Sequence, residues 1–245
     1  VYTPLHGTGV IGIPQVLDLL GYQNVTVLAE QEKPDGDFPT VVSPNPEEAA
    51  ALKMAIDRAS KIDADIVLGT DPDADRIGIA VKNEQGKFIL LNGNQTASVL
   101  VHYMLRKWQN AGMLDGNQFI CKTIVTSELL KEIADHYEVK TYDTLTGFKW
   151  IADVIRRKEG REKFIVGGEE SYGYLIDDFV RDKDAVLSAV IICEAAAEAK
   201  KAGKSFYQEL LSIYKNIAFY KESLVSVTKK GISGSDEIAA MMDGF

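Results

Sequence analysis

The chain is poor in cysteine and histidine, and it carries no excess of positive charge. Among 245 residues there are two cysteines and three histidines. Cys121 and Cys193 lie in apolar stretches without metal-ligand spacing, which excludes a disulfide framework and a Cys/His zinc site. They read as core thiols of a reducing, cytoplasmic compartment. The formal net charge of −9 excludes a non-specific nucleic-acid or anionic-membrane surface, since either needs clustered Lys and Arg. An anionic substrate stays open, because a phosphate pocket needs only local cations, a metal or backbone N–H groups. No apolar run approaches the ~18–20 residues of a membrane-spanning helix, and the first residues carry no signal-peptide pattern. Val1 lies inside an expected strand and 234–245 reads as the start of further structure, so a fragment is expected.

What is present is an alternation of strands and helices. With 46% hydrophobic residues the chain can bury a core, and its length suits two domains. Strands are expected at 1–3, 25–29, 66–69, 118–125, 139–142 and 164–166, with a hairpin of 77–82 and 87–91 across Asn83-Glu84-Gln85-Gly86. Helices are expected to Leu20, from Asn45-Pro46 to about Ser60, and over 94–110, 127–137, 148–158 and 185–202. The pattern predicts an α/β class with two consecutive domains and mainly parallel, mixed sheets. A boundary falls at 91–93, giving units 1–91 and 92–214. The tail 215–245 holds a possible strand at 223–228 and a linker at 229–235.

The strongest local signal is Asp71-Pro72-Asp73-Ala74-Asp75-Arg76, directly after a buried strand. In an extended loop alternate side chains share a side, so Asp71, Asp73 and Asp75 converge and suit a hard cation such as Mg²⁺. An EF-hand is excluded, because Arg76 and Lys82 stand where Gly and Glu are required. A solvated acidic turn is the competing reading.

Gly7-Thr8-Gly9-Val10-Ile11-Gly12 fits a dinucleotide fingerprint, with Glu30 near the ribose-binding position, so a nicotinamide-dependent oxidoreductase is an alternative. Small residues permitting a tight turn explain it equally. His6 either contacts a phosphate and moves a proton, or is a hydrogen-bonded residue at a strand end. In Gly167-Gly168-Glu169-Glu170-Ser171-Tyr172-Gly173, Glu169 and Ser171 alternate and can face a sugar, or form a solvated turn. Thr146-Gly147-Phe148-Lys149 is a further strand-to-helix turn. Lys183 is a proton shuttle or a surface cation.

In this order, Thr3-Pro4-Leu5-His6-Gly7-Thr8-Gly9, the acidic loop, Thr146-Gly147-Phe148-Lys149 and Gly168-Glu169-Glu170-Ser171-Tyr172-Gly173 resemble the α-D-phosphohexomutase family. Tyr172-Gly173 resembles its phosphoglucomutase branch. Pro72 and Ala74 replace the family's usual glycines, which stiffens the loop. The resemblance implies Mg²⁺ on Asp71, Asp73 and Asp75, with Arg76 adding charge. It implies sugar binding by Glu169 and Ser171, a specificity turn at Thr146 and Gly147, and proton transfer by Lys183 or His6. It also implies the second and third of four domains. The family's phosphoserine loop, Thr-Ala-Ser-His-Asn-Pro, and its phosphate-gripping loop, Arg-x-Ser-Gly-Thr, are absent from this sequence. The implied reaction interconverts glucose 1-phosphate and glucose 6-phosphate through a phosphoserine and glucose 1,6-bisphosphate. A mannose-phosphate mutase and a non-catalytic metal- or sugar-binding module are the other readings, and the chain alone is expected to be inactive.

Overall fold

The structure, a computed structural model, describes residues 1–223, 227, 229 and 231–244. β1 (Tyr2–Thr3) enters α1 (Gly9–Leu19), and a short α2 (Ala29–Glu32) and α3 (Ala49–Lys61) follow. β2 (Ile66–Thr70), β3 (Ile77–Lys82) and β4 (Phe88–Leu90) complete a sheet ordered β1-β2-β3-β4. β1 pairs β2 in parallel, with Tyr2 opposite Leu68, while β2–β3 and β3–β4 are antiparallel. Five of six β3 residues are buried, so this strand is apolar throughout rather than alternating. Its hairpin turns at Asn83, whose side chain accepts from Gln85 N and Lys87 N at 3.0 Å each. Ala51, Leu52, Ala55 and Ala59 form the buried stripe of α3, and Ala55 and Ala59 pack on Val67 and Ala80.

The second unit opens with α4 (Gly93–Asn110), where Asn92 and Gln95 exchange the reciprocal hydrogen bonds of a capping box. β5 (Gln118–Thr123), α5 (Leu129–His136), β6 (Lys140–Thr144), α6 (Phe148–Lys158), β7 (Lys163–Gly168) and β8 (Tyr174–Ile176) follow. The sheet order is β6-β5-β7-β8, with β6, β5 and β7 parallel and β8 antiparallel. α7 (Ala185–Lys201), α8 (Phe206–Asn216) and α9 (Ile232–Met242) close the chain. One core runs through both units, joining Ile13, Leu17 and Leu68 to Leu100, Ile120, Ile165 and Ile192. α7 carries the small apolar face that lets α1 approach it. Among the described residues no helix is long and apolar enough to cross a membrane.

Both sheets are mixed, as expected, but the first has only one parallel pair. Its hairpin supplies two antiparallel partners in place of a crossover strand. The expected strand at 25–29 is a single bridge, Tyr2 to Val27, because β1 has only two residues and the chain turns into α2 at Ala29. Asn45 does not cap α3. Its side chain accepts from Glu47 N at 3.0 Å in a local turn, and the helix begins at Ala49. Ile124 and Val125 leave β5 and are exposed. Part of the expected linker is the start of α9, and most of the expected strand at 223–228 lies outside the described residues. β8 and α8 had no counterpart in the sequence reading.

Candidate active site

The acidic loop leaves the carboxyl end of β2, the position where open α/β sheets place ligands. Asp71, Asp73 and Asp75 each bring one carboxylate oxygen within 4.8 Å of the others. The convergence comes from a turn and not from extended alternation: Ala74 N donates to Asp71 O at 3.1 Å, and Ala74 has φ +58°. Asp71 is buried. Its Oδ1 accepts from Asp75 N at 3.2 Å and Arg76 N at 3.0 Å, and its Oδ2 accepts from Arg76 Nε at 2.7 Å. Burial pushes the Asp71 carboxyl up to about 6, although the Arg76 bonds pull the other way.

Arg76 also donates from Nη1 to Glu47 Oε1 at 2.9 Å and lies 3.7 Å from Asp75 Oδ1. Its charge is therefore spent on holding the loop. Lys183 Nζ sits 3.1 Å from Asp75 Oδ2 and 3.0 Å from Asp182 Oδ1. Burial lowers the Lys183 pKa, but the bonds to Asp182 and Asp75 outweigh it and raise the value above that of an ordinary lysine. Glu47, Asp71, Asp75 and Asp182 thus share two cations, Arg76 and Lys183, and Asp73 adds a fifth carboxylate to the cluster. A divalent ion would offset most of that excess negative charge. Octahedral Mg²⁺, with bonds of about 2.1 Å, places neighbouring ligands about 3 Å apart. The three oxygens need only draw together, and the donor set fits a hard cation.

The glycine-acid loop lies directly against this site. Ile77 N donates to Tyr172 O at 3.0 Å, and Arg76 bridges Gly173 in antiparallel fashion. Within the loop, Glu169 N donates to Gly173 O at 2.9 Å. The buried Glu169 accepts at Oε1 from Gly147 N at 2.9 Å, which ties the loop to the 146–149 turn. Gly147 has φ +113°, a conformation that side chains disfavour. Burial raises the Glu169 pKa against the opposing pull of Gly147 N and Lys183. Ser171 is half-buried and Thr146 is exposed.

Lys183 joins all three loops. Its ammonium pairs with Asp75 and lies 5.4 Å from the centroid of the Phe148 ring. Its stem passes so close to Gly173 that a Cβ there would stand 2.3 Å from Cδ.

His6 is placed differently. It is 5% exposed, with Nδ1 3.1 Å from Lys33 O and Nε2 2.8 Å from Thr40 Oγ1. Both ring nitrogens are engaged by the 33–40 segment, which places His6 as a hydrogen-bonded residue at a strand end. The neighbouring Thr8 donates from N and Oγ1 to Pro72 O at 2.8 and 3.0 Å. The glycine turn is packed onto the acidic loop, and Glu30 sits on α2 rather than at a strand end. That arrangement leaves the dinucleotide reading without its pyrophosphate cradle.

Several residues at the site escaped the sequence reading. Glu47, 29 residues from Arg76, has no local pattern that would link it to the acidic loop. Glu170 faces away from Glu169 and accepts at Oε2 from Thr126 Oγ1 at 2.9 Å and Thr123 Oγ1 at 3.2 Å. The alternation that pairs Glu169 with Ser171 already sends Glu170 the other way, and that was the available signal.

Residues 1–86 match the family description Phosphoglucomutase/phosphomannomutase, alpha/beta/alpha domain II, and residues 92–214 match domain III of the same family. The chain belongs to the phosphoglucomutase/phosphomannomutase family. A phosphoglucomutase of Staphylococcus epidermidis is 39% identical over 245 residues, all of this chain and 44% of that protein. The chain therefore spans less than half the length of the curated relatives it matches. A Thermus thermophilus protein named as a phosphomannomutase superposes with TM-score 0.71 at 21% identity, covering 87% of this chain and 44% of that one. An Aspergillus fumigatus N-acetylphosphoglucosamine mutase, solved with GlcNAc-6P and magnesium, superposes with TM-score 0.56 at 17% identity, covering 83% and 47%. At those identities the two structures speak for the fold alone. Phosphohexomutase domains II and III, on the phosphoglucomutase branch, are what this chain contains.

Proposed function

We propose that the chain is the central part of a magnesium-dependent phosphoglucomutase that interconverts glucose 1-phosphate and glucose 6-phosphate through a phosphoserine and glucose 1,6-bisphosphate. One observation carries the reading: the Lys183 side chain meets Asp75 and Phe148 at its ammonium and Gly173 along its stem, so loops far apart in sequence converge on one lysine. Membership of the phosphoglucomutase branch supports the reaction class. The phosphoserine and a phosphate-gripping loop belong to parts of the parent outside these 245 residues.

Asp71, Asp73 and Asp75 are the residues that hold Mg²⁺, and Arg76 keeps Asp71 aimed while Glu47 holds Arg76. When bound, the metal supplies Lewis-acid stabilisation of charge on the transferring phosphoryl group. Glu169 and Ser171 hold sugar hydroxyls, and Thr146 and Gly147 border them. The phosphoryl group leaves the serine oxygen as a sugar hydroxyl oxygen bonds to phosphorus. The departing serine oxygen needs a proton and the attacking sugar hydroxyl must lose one; Lys183, held as an ammonium beside Asp75 and Asp182, is the group placed to donate to the serine oxygen and to take the hydroxyl proton in exchange, so that it ends as it began. His6 takes no part, since its ring is committed elsewhere. The isolated chain, without the serine, does not turn over.

A coupled assay on the full-length parent tests this, comparing glucose 1-phosphate with mannose 1-phosphate, with and without Mg²⁺, beside Asp73→Asn. Magnesium-dependent turnover of the glucose ester that collapses in Asp73→Asn is the expected result. No turnover of either ester with metal and bisphosphate primer supplied sinks the proposal, and faster turnover of the mannose ester moves it to that substrate.

A further inference from the structure

Lys122 is a lysine with no exposed surface, at the carboxyl end of the central strand β5. Its ammonium donates to Thr126 O at 3.2 Å and Glu128 Oε1 at 2.8 Å, and lies 3.0 Å from Asp143 Oδ1. A buried ammonium with such partners fixes the backbone that it binds, because each partner lost would leave charge or a carbonyl without a bond. The segment it fixes is 123–128. Ser127 N adds a bond to Asn94 Oδ1 at 3.0 Å, which ties the same segment to the start of α4.

On this seat stand two buried hydroxyls. Thr123 and Thr126 lie 2.7 Å apart, oxygen to oxygen, and both are within reach of Glu170 Oε2. Two hydroxyls carry two protons, so only two of the three contacts can be hydrogen bonds at once. The shorter pair makes a relay, Thr123 to Thr126 at 2.7 Å and Thr126 to Glu170 at 2.9 Å. The main chain of Glu170 is held as well. A Cβ on Gly93 would fall 1.8 Å from Glu170 O, so the loop rests directly on the helix backbone.

We infer that the Thr123–Thr126 hydroxyl pair and Glu170 form a latch that positions Glu169 and Ser171 for the sugar. Glu170 is pinned through its side chain on one side and through its carbonyl on the other. Its neighbours Glu169 and Ser171 must then project the opposite way, where Glu169 meets Gly147 N at 2.9 Å. The latch residues touch no substrate. They act through the loop, as positioning residues, and the inference rests on the mutase reading for what the loop holds.

The test uses the full-length parent with Thr126→Val, which keeps the shape and removes the donor, and Glu170→Gln, which removes the charge. A bond to a charged acceptor is worth enough that its loss raises KM and the Kd for glucose 1-phosphate about tenfold. Mg²⁺ affinity and kcat stay within about twofold, and Thr126→Ser restores KM. KM and sugar-phosphate affinity unchanged in both variants overturn the latch. So does an equal loss of Mg²⁺ and sugar affinity, and so does a Thr126→Ser enzyme as impaired as Thr126→Val. If Thr126→Val fails to fold, Glu170→Gln decides. A wild-type parent without turnover would sink the mutase reading by itself. The latch is then decided by amide hydrogen exchange of 168–173 in this chain, faster in Thr126→Val if it holds and unchanged if it does not.

Discussion

Alanine at Gly93 places a methyl carbon 1.8 Å from Glu170 O and 2.6 Å from its carbonyl carbon. Carbon–oxygen contact distances are about twice that shorter value, so either the 168–173 loop lifts by more than about 1 Å or α4 shifts. Neither moves alone, because Tyr174 OH donates to Gly93 O at 3.0 Å in a buried bond. Overpacking of this kind costs about 1–3 kcal/mol, a strained buried hydrogen bond adds about 1, and the helix propensity of alanine returns less than about 1. The net expectation is a loss of about 2–3 kcal/mol, or roughly 5–10 °C in Tm for a chain of this size. Urea unfolding and thermal melts measure it against two control glycines. Gly36→Ala has open space around it and no left-handed φ, and it should change little. Gly112→Ala also has open space but φ +67°, and it should cost about 1–2 kcal/mol from backbone strain alone. Gly93→Ala within about 0.5 kcal/mol of Gly36→Ala would refute the close contact between the 168–173 loop and the start of α4.

Three further outcomes are expected. Mg²⁺ should raise the Tm of this chain in a concentration-dependent way, reaching about 2.7 kcal/mol of stabilisation at a hundredfold excess over Kd. Asp73→Asn should abolish the rise, and an equal rise in that variant would remove the acidic loop as the site. His102, half-buried near Arg106 and 3.1 Å from Tyr137 OH, has its pKa lowered to about 4, chiefly by desolvation of its ring. Between pH 6.5 and about 4 the unfolded chain therefore binds a proton that the folded chain refuses, and stability falls as pH drops, by at most about 3 kcal/mol. His102→Asn should flatten that part of the urea-unfolding pH profile, and an unchanged slope would show that other groups set it. Burial pushes the Cys121 thiol up to about 12 and the Cys193 thiol up to about 11. Neither should react readily with a disulfide reagent at pH 8 until the chain is unfolded, when two thiols per chain appear. Rapid reaction of Cys121 in the folded chain would contradict its enclosure.

Local signals carried much of the fold. α6 was legible from end to end, since its apolar period and the Gly147 turn lie within one short window. The β3–β4 hairpin was legible because Asn83 and Gly86 specify a turn between two apolar runs. Residues 25–29 have strand-forming side chains but find a partner at only one position, and pairing is a property of the neighbour. The 45–48 segment has good capping chemistry, yet Asn45 uses it for a turn. Propensity ranks what a segment can do, and tertiary contacts choose among those options.

The sequence by itself determined the family and the chemistry on offer: three carboxylates spaced by one residue, a glycine-acid loop, and a fold class of alternating strands and helices. These are short-range facts, written in adjacent residues. The tertiary structure alone decided how the side chains are spent. It turned His6 onto Lys33 and Thr40, committed Arg76 to Glu47 and Asp71, drew Lys183 between Asp75 and Phe148, and sent Glu170 to Thr123 and Thr126. The physical reason is that a charge or hydroxyl is satisfied by whichever partner the folded chain brings within about 3 Å. Those partners stand from about thirty to more than a hundred positions away for His6, Glu47, Glu170 and Lys183, where no local pattern reaches.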